Sequence, residues 1–171
     1  KCIGIGLPTW FSMGILAYQS NQFGVAMGIA EPVEPALAIM WGYIGVSIGD
    51  LASGFISQGL RSRKKAIALM MAFALSGVLL FLFGNFKSPE ALYALCCWLG
   101  LGTGYWAMFV TVAAEQFGTN LRATAATTIP NFVRGALVPM NLLFVSLKPS
   151  FGVILAGFLV GVVAYSIGFY A

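Results

Sequence analysis

Residues 49–65, Gly-Asp-Leu-Ala-Ser-Gly-Phe-Ile-Ser-Gln-Gly-Leu-Arg-Ser-Arg-Lys-Lys, lie between two long apolar runs and decide how the chain is organised. This stretch carries four of the nine basic residues of the chain, all of them within positions 61–65. Basic residues between two membrane-spanning segments collect on the cytoplasmic side. The stretch is therefore predicted to be a cytoplasmic loop, and the segments on either side of it are predicted to cross a membrane in opposite directions.

The composition is that of a membrane protein. Hydrophobic residues make up 60% of the chain and charged residues only 8%, and there is no histidine. A soluble domain carries roughly 25% charged residues. Because one spanning helix needs about 20 apolar residues, the 171 residues leave room for six helices joined by short loops. We expect one all-α, polytopic membrane domain over residues 1–171, cut from a longer chain.

Six apolar segments follow one another along the sequence, separated by prolines and short polar stretches. The predicted spans cover residues 3–18, 36–58, 66–84, 90–113, 123–147 and 152–170. If these segments alternate across the membrane, the basic residues divide six against two, which supports the orientation set by the cytoplasmic loop. The two groups are Lys1, Arg61, Arg63, Lys64, Lys65 and Arg122 on one side, and Lys87 and Lys148 on the other.

Polar side chains are distributed unevenly among the six spans. The third and sixth spans carry few of them and are predicted to face lipid, whereas the first, second, fourth and fifth are predicted to line a water-filled cavity. Two successive groups of three, each ending in its most apolar helix, are the pattern expected of a 3+3 inverted repeat in a transporter half.

Two ionisable residues fall inside predicted spans. A charge at the centre of a spanning helix costs on the order of 2.5–3.5 kcal/mol by insertion scales, so Asp50 and Arg134 each need a partner or water. For Asp50 the alternatives are a structural hydrogen bond or ion pair and a role in proton coupling. For Arg134 they are a bidentate contact with a solute carboxylate or phosphate, a gating role, and a buried contact with Asp50 or a backbone carbonyl.

Four charged residues are predicted to form a cytoplasmic gate, an ion-pair cluster that holds helices together in one access state and separates in the other. They are Arg61, Arg63, Glu115 and Arg122. The alternative is a solvated basic loop, since exposed ion pairs contribute only about 0–1 kcal/mol.

Further candidates for solute contact are aromatic and amide side chains inside the spans. Trp10, Tyr105 and Trp106 are predicted to line the cavity, and Asn131 and Asn141 are predicted to donate hydrogen bonds to a polar solute, with helix packing as the alternative. Gly100, Gly102 and Gly104 are not a dinucleotide-binding loop, because no strand precedes them and no helix starts after them. Small residues inside a span are predicted to permit close helix packing instead.

Three elements of the sequence resemble signatures of the major facilitator superfamily. They are residues 45–65, residues 115–122 (Glu-Gln-Phe-Gly-Thr-Asn-Leu-Arg), and Arg134-Gly135 with Pro139. The last two are similar to its sugar and organic-ion transporter branch. The resemblance implies the C-terminal six-helix half of a twelve-helix carrier, whose N-terminal half supplies the other side of the cavity. Gln58 stands where the usual signature has an aspartate.

These features predict a secondary active transporter of a small polar solute, an organic anion or a sugar-like metabolite, coupled to protons and working by alternating access. The alternative is a sensor or scaffold with a transporter fold. An enzyme is disfavoured by the absence of histidine and by only five carboxylates. We expect no cofactor, metal or nucleic-acid partner, and a location in the bacterial inner membrane or another cell membrane.

Overall fold

The computed structural model of the chain is built from helices and describes residues 2–171. Lys1, counted above with the basic residues of one side, lies outside the described residues. No strand occurs in residues 2–171, which confirms the predicted all-helical class. In chain order the elements are α1 (Cys2–Phe11), a π-helical segment (Ser12–Ala17), α2 (Ser20–Ala26), α3 (Pro35–Leu60), α4 (Arg63–Phe83), α5 (Pro89–Thr103), α6 (Trp106–Glu115), α7 (Thr119–Gly135) and α8 (Leu137–Tyr170).

Within residues 2–171, four helical stretches are long and apolar enough to cross a membrane. They are Pro35–Leu60, Arg63–Phe83, Pro89–Glu115 and Thr119–Tyr170. The first three of these correspond to the predicted second, third and fourth spans. The predicted first span begins as a shorter apolar helix, Cys2–Ala17. The predicted fifth and sixth spans both lie in the stretch of 52 residues, which Gly152 interrupts with a positive φ of 77°.

The helix boundaries follow from local chemistry. Pro35 and Pro89 occupy first turns, where a missing N–H removes no helical hydrogen bond. The Ser88 hydroxyl accepts a hydrogen bond from the Ala91 N–H at 3.4 Å and caps α5. Ser62 caps α4 in the same way, and Arg61 adopts the left-handed conformation that ends α3. The predicted loop at residues 61–65 is therefore a tight turn between two long helices.

The closest helix contact joins α3 to α5, and we call it the glycine seam: Gly42, Gly45 and Gly49 of α3 against Gly100 of α5 and Gly104, which follows its last residue. A Cβ atom on Gly45 would overlap the carbonyl oxygen of Cys97 and lie 2.9 Å from the Leu101 nitrogen. Gly102 faces α4 and leaves room for Ala74. The prediction that the glycines of residues 100–104 permit close packing is confirmed.

The remaining core is formed by bulky side chains. Fully buried aromatic rings from α1, α2, α4 and α8 meet between the helices, and Phe23 stacks on Phe144 with ring centroids 5.8 Å apart. Outside, large apolar side chains such as Leu51 and Phe55 are more than 70% exposed. Soluble monomers rarely expose continuous apolar faces of this kind, so the exterior is compatible with contact to lipid.

Candidate functional site

The main candidate site is an open cavity of about 960 Å³, which we call the polar groove. The N-terminal helical segments, the start of α3 and the first half of α8 surround it. Its polar and aromatic lining residues are Trp10, Tyr18, Gln19, Asn21, Gln22, Tyr43, Asn141 and Lys148. The groove thus draws on the first, second and fifth predicted spans, while α5 and α6 contribute no lining residue.

Two hydrogen bonds join the α1–α2 region to α8 along the polar groove. Gln19 Nε2 donates to Asn141 Oδ1 at 2.6 Å, and Lys148 Nζ donates to Gln22 Oε1. The π-helical segment Ser12–Ala17 lies just before them and brings Met13 and Gly14 into the groove lining. A π-helical turn shifts the helix register, and such turns are frequent at functional sites.

Arg134 lies beside the groove and interacts with an aromatic residue of its lining. Its guanidinium carbon is 5.3 Å from the ring centroid of Trp10. Trp10 in turn meets Trp106 edge to face, with centroids 6.0 Å apart. The structure therefore brings together three of the predicted solute contacts. The predicted alternative of a buried Arg134–Asp50 pair does not form, because Arg134 is exposed and Asp50 has a different partner.

A polar face continues from α7 into α8, and we call it the polar stripe: Thr124, Thr127, Asn131 and Arg134 of α7 with Asn141 of α8. The four α7 residues are exposed, and Asn141 is half-buried. Their spacing of three and four residues places them on one side of a helix. Thr127 and Asn131 donate to carbonyl oxygens of their own helix, with Asn131 Nδ2 2.9 Å from the Thr127 oxygen.

Asp50 lies on α3, one residue past the glycine seam, and it contacts the start of α6. Its Oδ1 accepts a hydrogen bond from the Ala107 N–H at 3.0 Å. Ala107 is the second residue of α6, so the carboxylate satisfies one of the N–H groups that a helix start leaves without an intrahelical partner. The structural alternative for Asp50 has an observed contact, and the role in proton coupling stays a prediction.

Tyr105 lies apart from the other predicted solute contacts. It is fully buried, and its hydroxyl donates to the carbonyl oxygen of Ile5 at 2.8 Å. It does not line the groove. The structure therefore places Tyr105 in the helix core, where it ties the α5–α6 junction to α1.

One ion pair of the predicted cytoplasmic gate is present. Arg63 Nη1 lies 2.5 Å from Glu115 Oε2, and both side chains are about half exposed at 47% and 46%. The pair links the first turn of α4 to the last residue of α6. Arg61 and Arg122 are exposed and form no ion pair with the part of the chain that the structure describes.

Sequence reasoning missed most of the polar and aromatic groove residues, among them the hydrogen-bonded Gln19, Gln22 and Lys148. Gln19 and Gln22 are three positions apart at the end of the first apolar run, so one helical face could have been assigned to them. Lys148 was counted only as a loop charge. Its place in the groove requires α8 to continue through Lys148, one residue beyond the predicted end of the fifth span.

A second, smaller cavity of about 390 Å³ lies between α1, α4, α6 and α8. It is near the end of the molecule that carries the basic residues 61–65, which we call the basic end. Its lining is mostly apolar, with Lys64 and Gln116 as the long polar side chains. It contains none of the predicted site residues. The polar groove therefore remains the main candidate site.

No protein-family model, curated protein sequence or solved structure matches the chain. The resemblance to the major facilitator superfamily accordingly stays a prediction from the motifs in residues 45–65, 115–122 and 134–139. What can be concluded about function rests on the residues of the polar groove and the polar stripe.

Proposed function

We propose that the chain is the C-terminal six-helix half of a secondary active transporter related to the major facilitator superfamily, which carries a small polar solute. The solute is an organic anion or a sugar-like metabolite, and its transport is coupled to protons. The observation that carries the proposal is the polar stripe, because it is exposed beside the polar groove on a molecule whose other outer faces are largely apolar.

The helix lengths support six crossings. At about 1.5 Å per residue, a straight helix of 52 residues would be more than twice as long as a hydrocarbon core of about 30 Å. The break at Gly152 divides this stretch into two segments, each long enough for one crossing. Residues 2–26 form a further helical segment, with the π-helical turn inside it. Together with α3, α4 and the α5–α6 pair, this makes six.

The helix contacts support an inverted repeat of three and three. The first segment of the chain packs on α7 and on the part of α8 after Gly152, which belong to the second and third members of the later group. The first segment of the later group, α5, packs on α3 and α4, which are the second and third members of the earlier group. This reciprocal pattern is expected when two three-helix units are related by a two-fold axis in the membrane plane.

The polar stripe supports a water-filled route. An exposed guanidinium and amide in a spanning helix are unfavourable against acyl chains and so need water or protein in front of them. A second six-helix half facing α7 would enclose the stripe and the polar groove from the other side. Arg134, Trp10, Trp106, Asn131 and Asn141 would then contact the solute, with Arg134 binding a carboxylate if the solute has one.

Alternating access would use the groove as its fixed site. The Arg63–Glu115 pair at the basic end supports a cytoplasmic gate that separates when the two halves rock. Asp50 joins α3 to the start of α6, and in the proposed mechanism its protonation removes the negative charge at that helix start and weakens the contact during the cycle.

The proposal is tested by reaching the stripe from each side of the membrane. Thr127→Cys is made in the full-length protein with its native cysteines replaced by alanine, and sealed vesicles of both orientations are treated with a membrane-impermeant maleimide. A transporter exposes the central site to both sides in turn, so we expect labelling from either side. Leu69→Cys is the matched control, since Leu69 is exposed on the apolar α4 and should be labelled from neither side.

Labelling of Thr127→Cys from only one side, with Leu69→Cys silent, would contradict alternating access and favour the sensor or scaffold. Equal labelling of both positions would show that the stripe has no special access to water and would contradict the proposed route.

A further inference from the structure

We infer that Lys148, held by Gln22, is the anion-selecting group of the polar groove, so that the groove takes solutes carrying a carboxylate or phosphate in preference to neutral or cationic ones. This inference rests on the proposed function only in treating the groove as the solute route. It decides between the two solute classes that the proposed function leaves open.

The first observation is the neutral partner of Lys148. Its ammonium donates to the amide oxygen of Gln22 and lies 5.7 Å from the centroid of the Phe144 ring. An ammonium has three N–H donors. The amide satisfies one of them and orients the group without cancelling its charge, so two donors and a full positive charge remain for a ligand.

The second observation is the absence of a carboxylate in the described part of the groove. Its lining residues include no aspartate or glutamate, and Lys148 forms no ion pair within residues 2–171. Arg134, over the ring of Trp10, adds a second cation without a carboxylate partner among the same residues. One cation in the groove lining and a second beside it, over the Trp10 ring, make the potential of the groove positive and concentrate anions there.

The third observation is the position of Lys148. It lies fourteen residues beyond Arg134 on the α7–α8 segment, or about 21 Å along a helix, toward the end of the groove away from the basic loop. A solute that enters from that end therefore meets Lys148 before it reaches Arg134. Lys148 selects by charge, and the planar guanidinium of Arg134 then fits a carboxylate in two-point contact.

The electrostatic role can be measured without knowing the solute. Val145 lines the groove one helical turn before Lys148 and is 51% exposed, so Val145→Cys reports the local potential. The full-length protein with its native cysteines replaced is treated with ethylsulfonate and ethyltrimethylammonium methanethiosulfonates, which carry opposite charges. The ratio of their rates cancels any change in the reactivity of the thiol itself. We expect Lys148→Gln to lower the anion-to-cation ratio roughly tenfold.

Three further variants make the test specific. Lys148→Arg retains the charge and should retain the ratio. Gln22→Glu adds a carboxylate beside Lys148 and should lower the ratio as much as Lys148→Gln, which provides a second test if Lys148→Gln fails to fold. Lys87→Gln removes an exposed charge from the loop between α4 and α5, outside the groove lining, and should have no effect.

An unchanged ratio in a folded Lys148→Gln or Gln22→Glu variant would overturn the inference. An equal fall of the anion-to-cation ratio in Lys87→Gln would also overturn the inference. The effect would then come from the net charge on the side of the membrane where Lys87 and Lys148 both lie, and not from Lys148 in the groove. Neither result depends on whether Thr127→Cys is labelled from two sides, so this inference and the proposed transport function can fail separately.

Discussion

The glycine seam and the polar groove both include residues of α3, but the seam is close backbone packing and the groove is an open polar cavity. In the seam, Gly45 and Gly49 bring the α3 backbone against α5 and leave no space even for a methyl group. In the groove, the start of α3 faces α8 across a cavity of about 960 Å³. Close backbone packing holds helices together in lipid, where no hydrophobic force acts between them, whereas an open polar surface adds nothing to stability.

This difference indicates which parts of the molecule serve the fold and which serve function. Substitutions in the glycine seam should change stability and leave selectivity alone, while substitutions in the polar groove should do the reverse. Asp50 and the Arg63–Glu115 pair lie between these two extremes. The predictions below test this separation, from the largest expected effect to the smallest.

Gly45→Ala should destabilise the protein by about 2–3 kcal/mol, because the added Cβ meets backbone atoms of α5 that cannot move aside as a flexible side chain can. Gly54→Ala is the matched control. Gly54 is on the same helix with open space around it, and the change should be neutral or slightly stabilising. Unfolding in detergent with increasing denaturant measures both. Equal stability of the two variants would contradict the importance of the seam.

The span boundaries were predictable because the local signals are strong. Pro35 and the basic residues 61–65 bracket α3, and its observed ends lie within about two residues of those predicted. Gly100 to Gly104 could be assigned to close packing. Their partners on α3 could not, since the choice of neighbouring helix depends on the tertiary arrangement.

The irregular features of the backbone were not predictable. Chain composition does not reveal the π-helical turn at Ser12–Ala17. It also does not reveal that the start of α6, after the break from α5, is capped by a carboxylate 57 residues earlier in the chain. The candidate site was predicted only in part, because some of its contacts also join residues that are distant in the sequence. Arg134, Trp10 and Trp106 could be chosen as candidates because aromatic and charged residues stand out within an apolar span, and the structure brings them together. Gln22 and Lys148 are far apart in the sequence, so their contact could not be predicted from it.

Asp50→Ala should cost about 1–2 kcal/mol, because it removes the acceptor of the Ala107 N–H at the start of α6. Asp50→Asn keeps a side-chain oxygen and should stay within about 0.5 kcal/mol of the parent protein. Ser47→Ala is the control, since the exposed Ser47 hydroxyl bonds only its own helix. Thermal unfolding of the purified protein measures the three changes.

The same Asp50→Asn variant separates the capping role from proton coupling. It cannot release a proton, so we expect it to retain solute exchange and to lose accumulation driven by a proton gradient. Full, proton-dependent uphill uptake by Asp50→Asn would limit Asp50 to capping α6 and exclude it from coupling.

Glu115→Gln should have the smallest effect. The Arg63–Glu115 pair is about half exposed, and such pairs contribute no more than about 1 kcal/mol, so stability should change little. The equilibrium of the proposed gate should nevertheless change measurably, because about 1 kcal/mol shifts the ratio of two access states roughly fivefold. The ratio of labelling of Thr127→Cys from the two sides measures this shift. Glu31→Gln, an exposed loop residue, is the control with the same change in charge.

Salt gives an independent test of the gate that leaves the sequence intact. At 1 M ionic strength the Debye length falls to about 3 Å, so the attraction between Arg63 and Glu115 is largely screened. High salt should therefore shift the labelling ratio of the parent protein toward that of Glu115→Gln and leave the Glu115→Gln ratio itself nearly unchanged. If salt changes the labelling ratio equally in the parent protein and in Glu115→Gln, the ion pair does not set the balance between access states. The basic residues 61–65 then form only a solvated turn between α3 and α4.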